Sequence, residues 1–223
     1  MSRLRTVLGV LLLMMVASCA DDEYHYPSVK LEFLTALSGA DGALQSVLTD
    51  EGERLDVAVD GTGLSFEANA ATRIVTNYER VTTSSGGEGV KLYAGIFPVS
   101  PTPRPAAEFK DGICTDAAEV TSIWIGLDYL NILLAIKAQN QSHAFHFIED
   151  QVLTDAETGN CEVYLTLYHD AGDDLQAYTK RVYLSVPLEK YLSELEEGER
   201  LTVHFSLHTY DGTVKTYDLD YTL

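Results

Sequence analysis

The sequence predicts an all-β protein of two parts: a five-stranded barrel, then a two-sheet β-sandwich carrying one short helix. Three observations predict it. Five apolar segments, most of them alternating with polar residues, fall within residues 28–100, with no helical period among them. Four prolines, Pro98, Pro101, Pro103 and Pro105, then crowd eight residues. Seven further apolar segments follow, punctuated by turn residues and interrupted once by a helical repeat.

The barrel segments come first. Val29, Leu31, Phe33, Thr35 and Leu37 alternate with polar or smaller residues, the pattern of a half-buried strand. Asp41-Gly42 marks a turn, and residues 44–49 form a weaker strand. Asp50-Glu51-Gly52-Glu53 reads as a tight turn, with Gly52 supplying the positive φ such turns need. Leu55, Val57 and Val59 alternate cleanly, and Gly61 and Gly63 end that strand. Residues 74–81 and 90–99 add two strands around Ser84-Ser85-Gly86-Gly87. Closing five short strands into a barrel removes their exposed edges. Proline lacks an amide donor and favours extended backbone, so residues 101–110 read as a stiff linker after a barrel domain at 28–100.

The sandwich occupies residues 111–223, with strands expected at 120–126, 129–138, 144–149, 161–168, 176–186, 201–210 and 213–222. Leu130, Ile132, Leu134 and Ile136 form its longest buried stripe. Asp211-Gly212 is its strongest hairpin signal and suits a two-residue type I′ turn. Two packed sheets are the economical arrangement of seven such strands. Leu188, Tyr191, Leu192 and Leu195 follow helical spacing between Pro187 and Gly198, so one short helix plugs an end of the sandwich.

The first 18 residues belong to neither domain. Arg3 and Arg5 precede an apolar run of about ten residues, too short for the roughly 20 that span a bilayer. Val16-Ala17-Ser18-Cys19 completes a lipoprotein signal peptide, with small residues before a cysteine whose thiol takes the lipid. Residues 19–27 are then an acidic tether, and the membrane is reached through lipid on Cys19. The formal charge is −19, and loss of Arg3 and Arg5 takes it to −21. Such a surface repels nucleic acid and favours cationic partners.

No enzyme constellation is legible, and the chain reads as a non-enzyme without cofactor. Gly63-Leu64-Ser65-Phe66-Glu67 begins a nucleophile-elbow pattern and fails at its last position. His204 and His208 share one face of an expected strand but stand roughly 13 Å apart, too far for one metal ion. His143 and His146 fall on opposite faces of a strand. Asp170, Asp173 and Asp174 offer three acids, whereas calcium takes six to eight oxygens. Tyr164, Tyr168 and Tyr183 are expected to face outward, where they contact a protein or glycan or pack across the sheet.

Several stretches together resemble the NigD-like lipoproteins of Bacteroidetes. They are the lipobox, the acidic run Asp21-Asp22-Glu23, Tyr26-Pro27-Ser28-Val29, Leu48-Thr49-Asp50-Glu51-Gly52 with Leu55, Tyr129-Leu130-Asn131-Ile132, and residues 143–147. The resemblance covers the whole chain. It implies a barrel of the OB type, a C-terminal β-sandwich and an association with bacteriocin immunity. It carries no catalytic or ligand residues. Asp21, Asp22 and Glu23 resemble the surface-export signal of such lipoproteins, the alternative being a plain solvated linker. The expected protein is an outer-membrane lipoprotein facing the cell surface, or else the periplasm, that binds an unknown protein or glycan. The alternative is an accessory subunit of an outer-membrane assembly. Cys114 and Cys161 remain after lipidation of Cys19, and in an oxidising compartment they are expected to form a disulfide across the sandwich, the alternative being two buried thiols.

Overall fold

A computed structural model of the chain describes residues 29–83 and 86–222. The lipobox residues Val16, Ala17, Ser18 and Cys19 and the acids Asp21, Asp22 and Glu23 lie outside the described residues.

Five strands close the barrel: β1 (Lys30–Ser38), β2 (Leu44–Leu48), β3 (Arg54–Asp60), β4 (Ala71–Thr82) and β5 (Glu88–Ile96). Their order is β1-β2-β3-β5-β4, with β4 returning to β1. Only the β3–β5 pairing is parallel. Leu34, Ala36, Val47, Leu55, Ile74, Tyr78, Val90 and Leu92 fill the interior.

Two details depart from the alternation pattern, and each has a cause. In β1 the barrel interior takes Leu34 and Ala36, not the Phe33–Thr35 phase. Phe33 and Thr35 are buried as well, but on the barrel's outside, under the sandwich. A strand buried on both faces loses its polar–apolar contrast. In β3 a register shift between Val57 and Val59 turns Val59 out to solvent.

The sandwich pairs a three-stranded sheet with a five-stranded one. The first has order β11-β8-β7, built from β7 (Glu119–Gly126), β8 (Tyr129–Ala138) and β11 (Tyr178–Pro187). The second has order β13-β12-β10-β9-β6, built from β6 (Arg104–Pro105), β9 (Ala144–Thr154), β10 (Cys161–Asp170), β12 (Arg200–His208) and β13 (Val214–Thr222). The stripe Leu130, Ile132, Leu134 and Ile136 faces Val163, Leu165, Leu167, Val203 and Phe205 in one core. A helical turn, α1 (Glu189–Leu192), presses Leu188, Tyr191, Leu192 and Leu195 onto that core.

The proline-rich stretch runs along the sandwich. Val99 exchanges backbone hydrogen bonds with Tyr183 and Ser185 on β11, at 2.9 and 3.0 Å. Arg104 and Pro105 then pair parallel with Ile148 and Glu149 at the edge of the larger sheet. An edge is where a residue without an amide donor is tolerated.

The expected disulfide does not form: Cys114 and Cys161 are both free. Cys161 does point into the core beside Val163 and Leu165. Cys114, however, lies at the other end of the same strand, where its carbonyl accepts the amide of His169 at 3.0 Å. Cys161 and His169 are the first and ninth residues of β10. At about 3.3 Å per residue the two cysteines sit roughly 25 Å apart, far beyond disulfide reach.

The Asp211-Gly212 hairpin forms, but with a three-residue loop. Thr209 donates its amide to the Thr213 carbonyl at 2.9 Å, and Gly212 to Thr209 at 3.0 Å. Gly212 alone takes positive φ, at 83°, so the turn is a type I turn closed by a left-handed glycine. The Asp211 carboxylate accepts from Thr213 N at 3.0 Å and also from the Thr209 hydroxyl. Those bonds favour the wider loop.

Candidate functional site

The outer face of the three-stranded sheet is where the barrel docks. On β1 and β4, Phe33 pairs with Val75 and Thr35 with Arg73, and all four are buried. On the sandwich, Asn131 of β8 pairs with Trp124 on one side and Ser185 on the other, and Leu133 pairs with Tyr183. Strand pleating puts each of these sets on a single face. The β2–β3 turn supplies the remaining group. Gly52, at φ 82°, closes that turn by donating its amide to the Thr49 carbonyl at 3.0 Å. The turn carries Asp50 at its tip, against the sandwich.

Asp50 and Arg73 form the centre of this junction as a buried ion pair. Arg73 also donates to Ser185 Oγ at 3.2 Å, Thr35 Oγ1 at 3.2 Å and Asn131 Oδ1 at 3.0 Å. Asp50 Oδ2 accepts from Trp124 Nε1 at 2.7 Å and Asn131 Nδ2 at 3.0 Å. Ser185 Oγ closes the ring by donating to Asn131 Oδ1 at 2.7 Å. The guanidinium lies 4.7 Å from the Tyr129 ring centroid and 5.7 Å from that of Phe33. A buried ion pair needs such additional bonds to offset its desolvation. The neighbouring backbone fits the same group. Leu127 N donates to Asp50 O at 3.1 Å, and a Cβ on Gly126 would stand 2.4 Å from Asp50 Cγ. The network spans barrel and sandwich, so it fixes how the two sit.

A cleft of about 290 Å³ opens beside this network. Leu31, Phe33, Val75, Trp124, Leu133 and Tyr183 supply its apolar walls. Among the described residues, Glu32, Asp50 and Glu51 are its only charged lining residues. Phe33 packs edge-on against both Trp124 and Tyr183, at 5.4 and 5.9 Å between centroids. A second hollow of about 210 Å³ shares Leu31, Val75 and Tyr183 and continues over Ala94, Gly95 and Ile96.

A separate polar cluster caps the far end of the sandwich. His169 Nδ1 faces the Asp116 carbonyl at 2.9 Å, and its Nε2 faces His143 Nδ1 at 2.8 Å. His143 Nε2 in turn faces Asp174 Oδ2 at 3.2 Å. Burial lowers the His169 pKa, since it disfavours the charged ring. Burial alone would raise the pKa of Asp174. Amide donations from Gln139, Asn140 and Gln141, with the contact to His143, outweigh it and hold the carboxyl well below the usual range. Asp174 is thus bound to the chain itself. Asp170 likewise accepts the amide of Gly172 at 2.9 Å.

The three outward tyrosines all pack against the chain itself, Tyr183 against Phe33 of the barrel. Tyr164 stacks on His204 at 4.3 Å, and Tyr168 stacks on Phe109 at 5.1 Å. Tyr183 alone reaches the junction. Residue reasoning missed Asp50, Arg73 and Asn131 as a unit. Two signals were available: Arg73 is the lone charge beside Ile74 and Val75, and Asn131 interrupts the apolar run of β8. Two of the stretches that carried the family likeness meet here: Leu48-Thr49-Asp50-Glu51-Gly52 supplies Asp50, and Tyr129-Leu130-Asn131-Ile132 supplies Tyr129 and Asn131.

Comparisons with known proteins bear on both domains. The model of the NigD-like C-terminal β-sandwich domain matches residues 99–221. The chain is similar to a solved NigD-like immunity protein from Bacteroides caccae, at 37% identity and a TM-score of 0.75, over 89% of this chain and 99% of that one. It shares its fold with a protein of unknown function from Bacteroides vulgatus, at 20% identity, a TM-score of 0.66 and coverage of 88% and 92%. It also shares its fold with a candidate lipoprotein from Bacteroides fragilis, at 12% identity, a TM-score of 0.60 and coverage of 88% and 99%. A search of curated proteins finds no match.

Proposed function

The chain belongs to the NigD-like family, and from that membership we propose that it is a lipid-anchored envelope protein that works by binding a partner protein. The observation that carries the reading is the cleft: an apolar cavity between two domains whose mutual position is fixed by the Asp50–Arg73 network. Clefts at domain junctions are where binding sites concentrate. A fixed junction also limits the ordering cost of binding.

Val16-Ala17-Ser18-Cys19 supports anchoring through lipid on Cys19, and the candidate lipoprotein with the same fold is consistent with it. The anchor belongs in the outer membrane, with Asp21, Asp22 and Glu23 directing the protein to the cell surface. The role is immunity, meaning interception of a bacteriocin before it reaches its target. The name of the Bacteroides caccae relative supports this, as does a net charge of −19 that favours a cationic partner.

The test is to delete the gene and challenge cells with culture supernatants of neighbouring strains. Sensitivity is expected to rise and to return to wild type on complementation. A Cys19→Ala copy, lacking the lipid site, is expected to complement poorly. Unchanged sensitivity after deletion would count against immunity, and full rescue by Cys19→Ala against the anchor.

A further inference from the structure

We propose that the junction cleft takes an extended polypeptide segment in which apolar side chains alternate with lysine or arginine. This rests on the binding reading above and names the chemistry of the partner. The cleft of about 290 Å³ lies at the small end of ligand pockets, roughly 300–1,000 Å³. It therefore suits one or two side chains better than a large cofactor. The adjoining hollow shares Leu31, Val75 and Tyr183 with it, so the two lobes form a groove along the seam between barrel and sandwich. Leu31 and Ile96, 49% and 48% exposed, stand open on this seam. Two adjoining lobes suit two apolar side chains of one extended segment.

Charge decides what accompanies them. Among the described residues no cation lines either lobe, and the charged lining residues are all acids. Asp50 is taken up by Arg73, Trp124 and Asn131. Glu51 is exposed and makes no side-chain bond among the described residues. Glu32 accepts the Tyr78 hydroxyl at 2.8 Å and stands 3.8 Å from Lys30, with its side chain 37% exposed. The Tyr78 bond holds Glu32 on the Leu34 side of β1, so Glu51 is the carboxylate at the cleft that is open to a further cation. A lysine or arginine there would also stand beside the aromatic rings of Trp124 and Tyr183, which line the cleft. An anionic segment would meet the unpaired Glu51 carboxylate.

Trp124 is the chain's only tryptophan and lines the cleft, so its emission reports occupancy directly. The full-length lipoprotein in phosphatidylcholine vesicles is titrated with three hexapeptides: alternating leucine and lysine, leucine and glutamate, and serine and lysine. The first is expected to change Trp124 emission saturably, with at least tenfold tighter apparent binding than the other two. Leu31→Asp is expected to abolish the response and Glu51→Lys to weaken it about tenfold. Both side chains are exposed, and melting curves confirm that the variants fold. Equal binding of the leucine–glutamate peptide, no saturable change with leucine–lysine, or an unaltered response in Leu31→Asp would each overturn the inference. The two proposals fail separately. A deletion strain fully rescued by Leu31→Asp keeps the immunity reading and removes the groove from it. Peptide binding without any change in bacteriocin sensitivity does the reverse.

Discussion

Asp50 satisfies a guanidinium, an indole and an amide at once, and that arrangement sets its sensitivity to substitution. Asp50→Ala strands Arg73, whose side chain is 3% exposed, as an uncompensated charge. Loss of one partner from such a pair costs about 3–5 kcal/mol. Asp50→Ala with Arg73→Met removes both charges and is expected to cost less than Asp50→Ala alone. Chemical denaturation of the single and double variants measures the difference. A double variant less stable than Asp50→Ala would mean that the pair is not what holds the junction. Gly126→Ala strikes the same carboxylate sterically. Its new methyl needs space now held by Asp50, so a loss of about 1–3 kcal/mol is expected.

The histidine–aspartate cluster and the terminal hairpin set the acid response. Asp174 and Asp211 have folded pKa values below their unfolded ones, Asp211 at about 2 through bonds from Thr209 and Thr213. Their contribution is complete above the unfolded value near 4 and is lost as pH falls through the folded values. His169 acts in a higher window. Its lowered pKa means that the unfolded chain protonates first, so stability drops as pH falls from about 6.5. Melting temperature should therefore fall in two stages between pH 7 and 2. Asp174→Asn and Asp211→Asn should flatten the lower stage, and His169→Gln the upper. A flat profile from pH 7 to 2 would contradict both assignments.

Among the elements, β8 shows what alternation can and cannot convey. Its Leu130–Ile136 stripe was legible because every second residue is apolar. The opposite face carries Asn131, buried against the barrel, and Leu133, half-buried at the cleft. Alternation reports one buried face and is silent about a second one covered by another domain. The same limit displaced the phase of β1, where Phe33 packs against Trp124 rather than inside the barrel. The cysteines show a different limit. Alternation correctly turned Cys161 inward, but no local pattern fixes where the loop carrying Cys114 meets β10. Cys114 is half-buried and Cys161 buried. A thiol reagent without reductant should label Cys114 in the folded protein and Cys161 only after denaturant is added. Mass spectrometry showing a cross-linked pair would contradict this.

Across the whole molecule, the order of barrel, proline-rich stretch and sandwich was readable from strand counts and turn residues. The junction was not, because Asp50, Arg73, Asn131 and Ser185 are far apart in the chain and each alone is an ordinary polar residue. Their meaning comes only from contact. That contact makes barrel and sandwich one body, and the cleft exists only while they stay docked. The decisive measurement is thermal unfolding of the full chain followed by two probes. Trp124 emission reports the junction, and far-ultraviolet circular dichroism reports both sets of strands. Coincident transitions mark a single cooperative unit. One shared transition is expected in the wild type, with Asp50→Ala moving Trp124 emission to lower temperature than the strand signal. Trp124 emission changing well before the strands melt in the wild type would show a junction that opens by itself, and would contradict a preformed cleft.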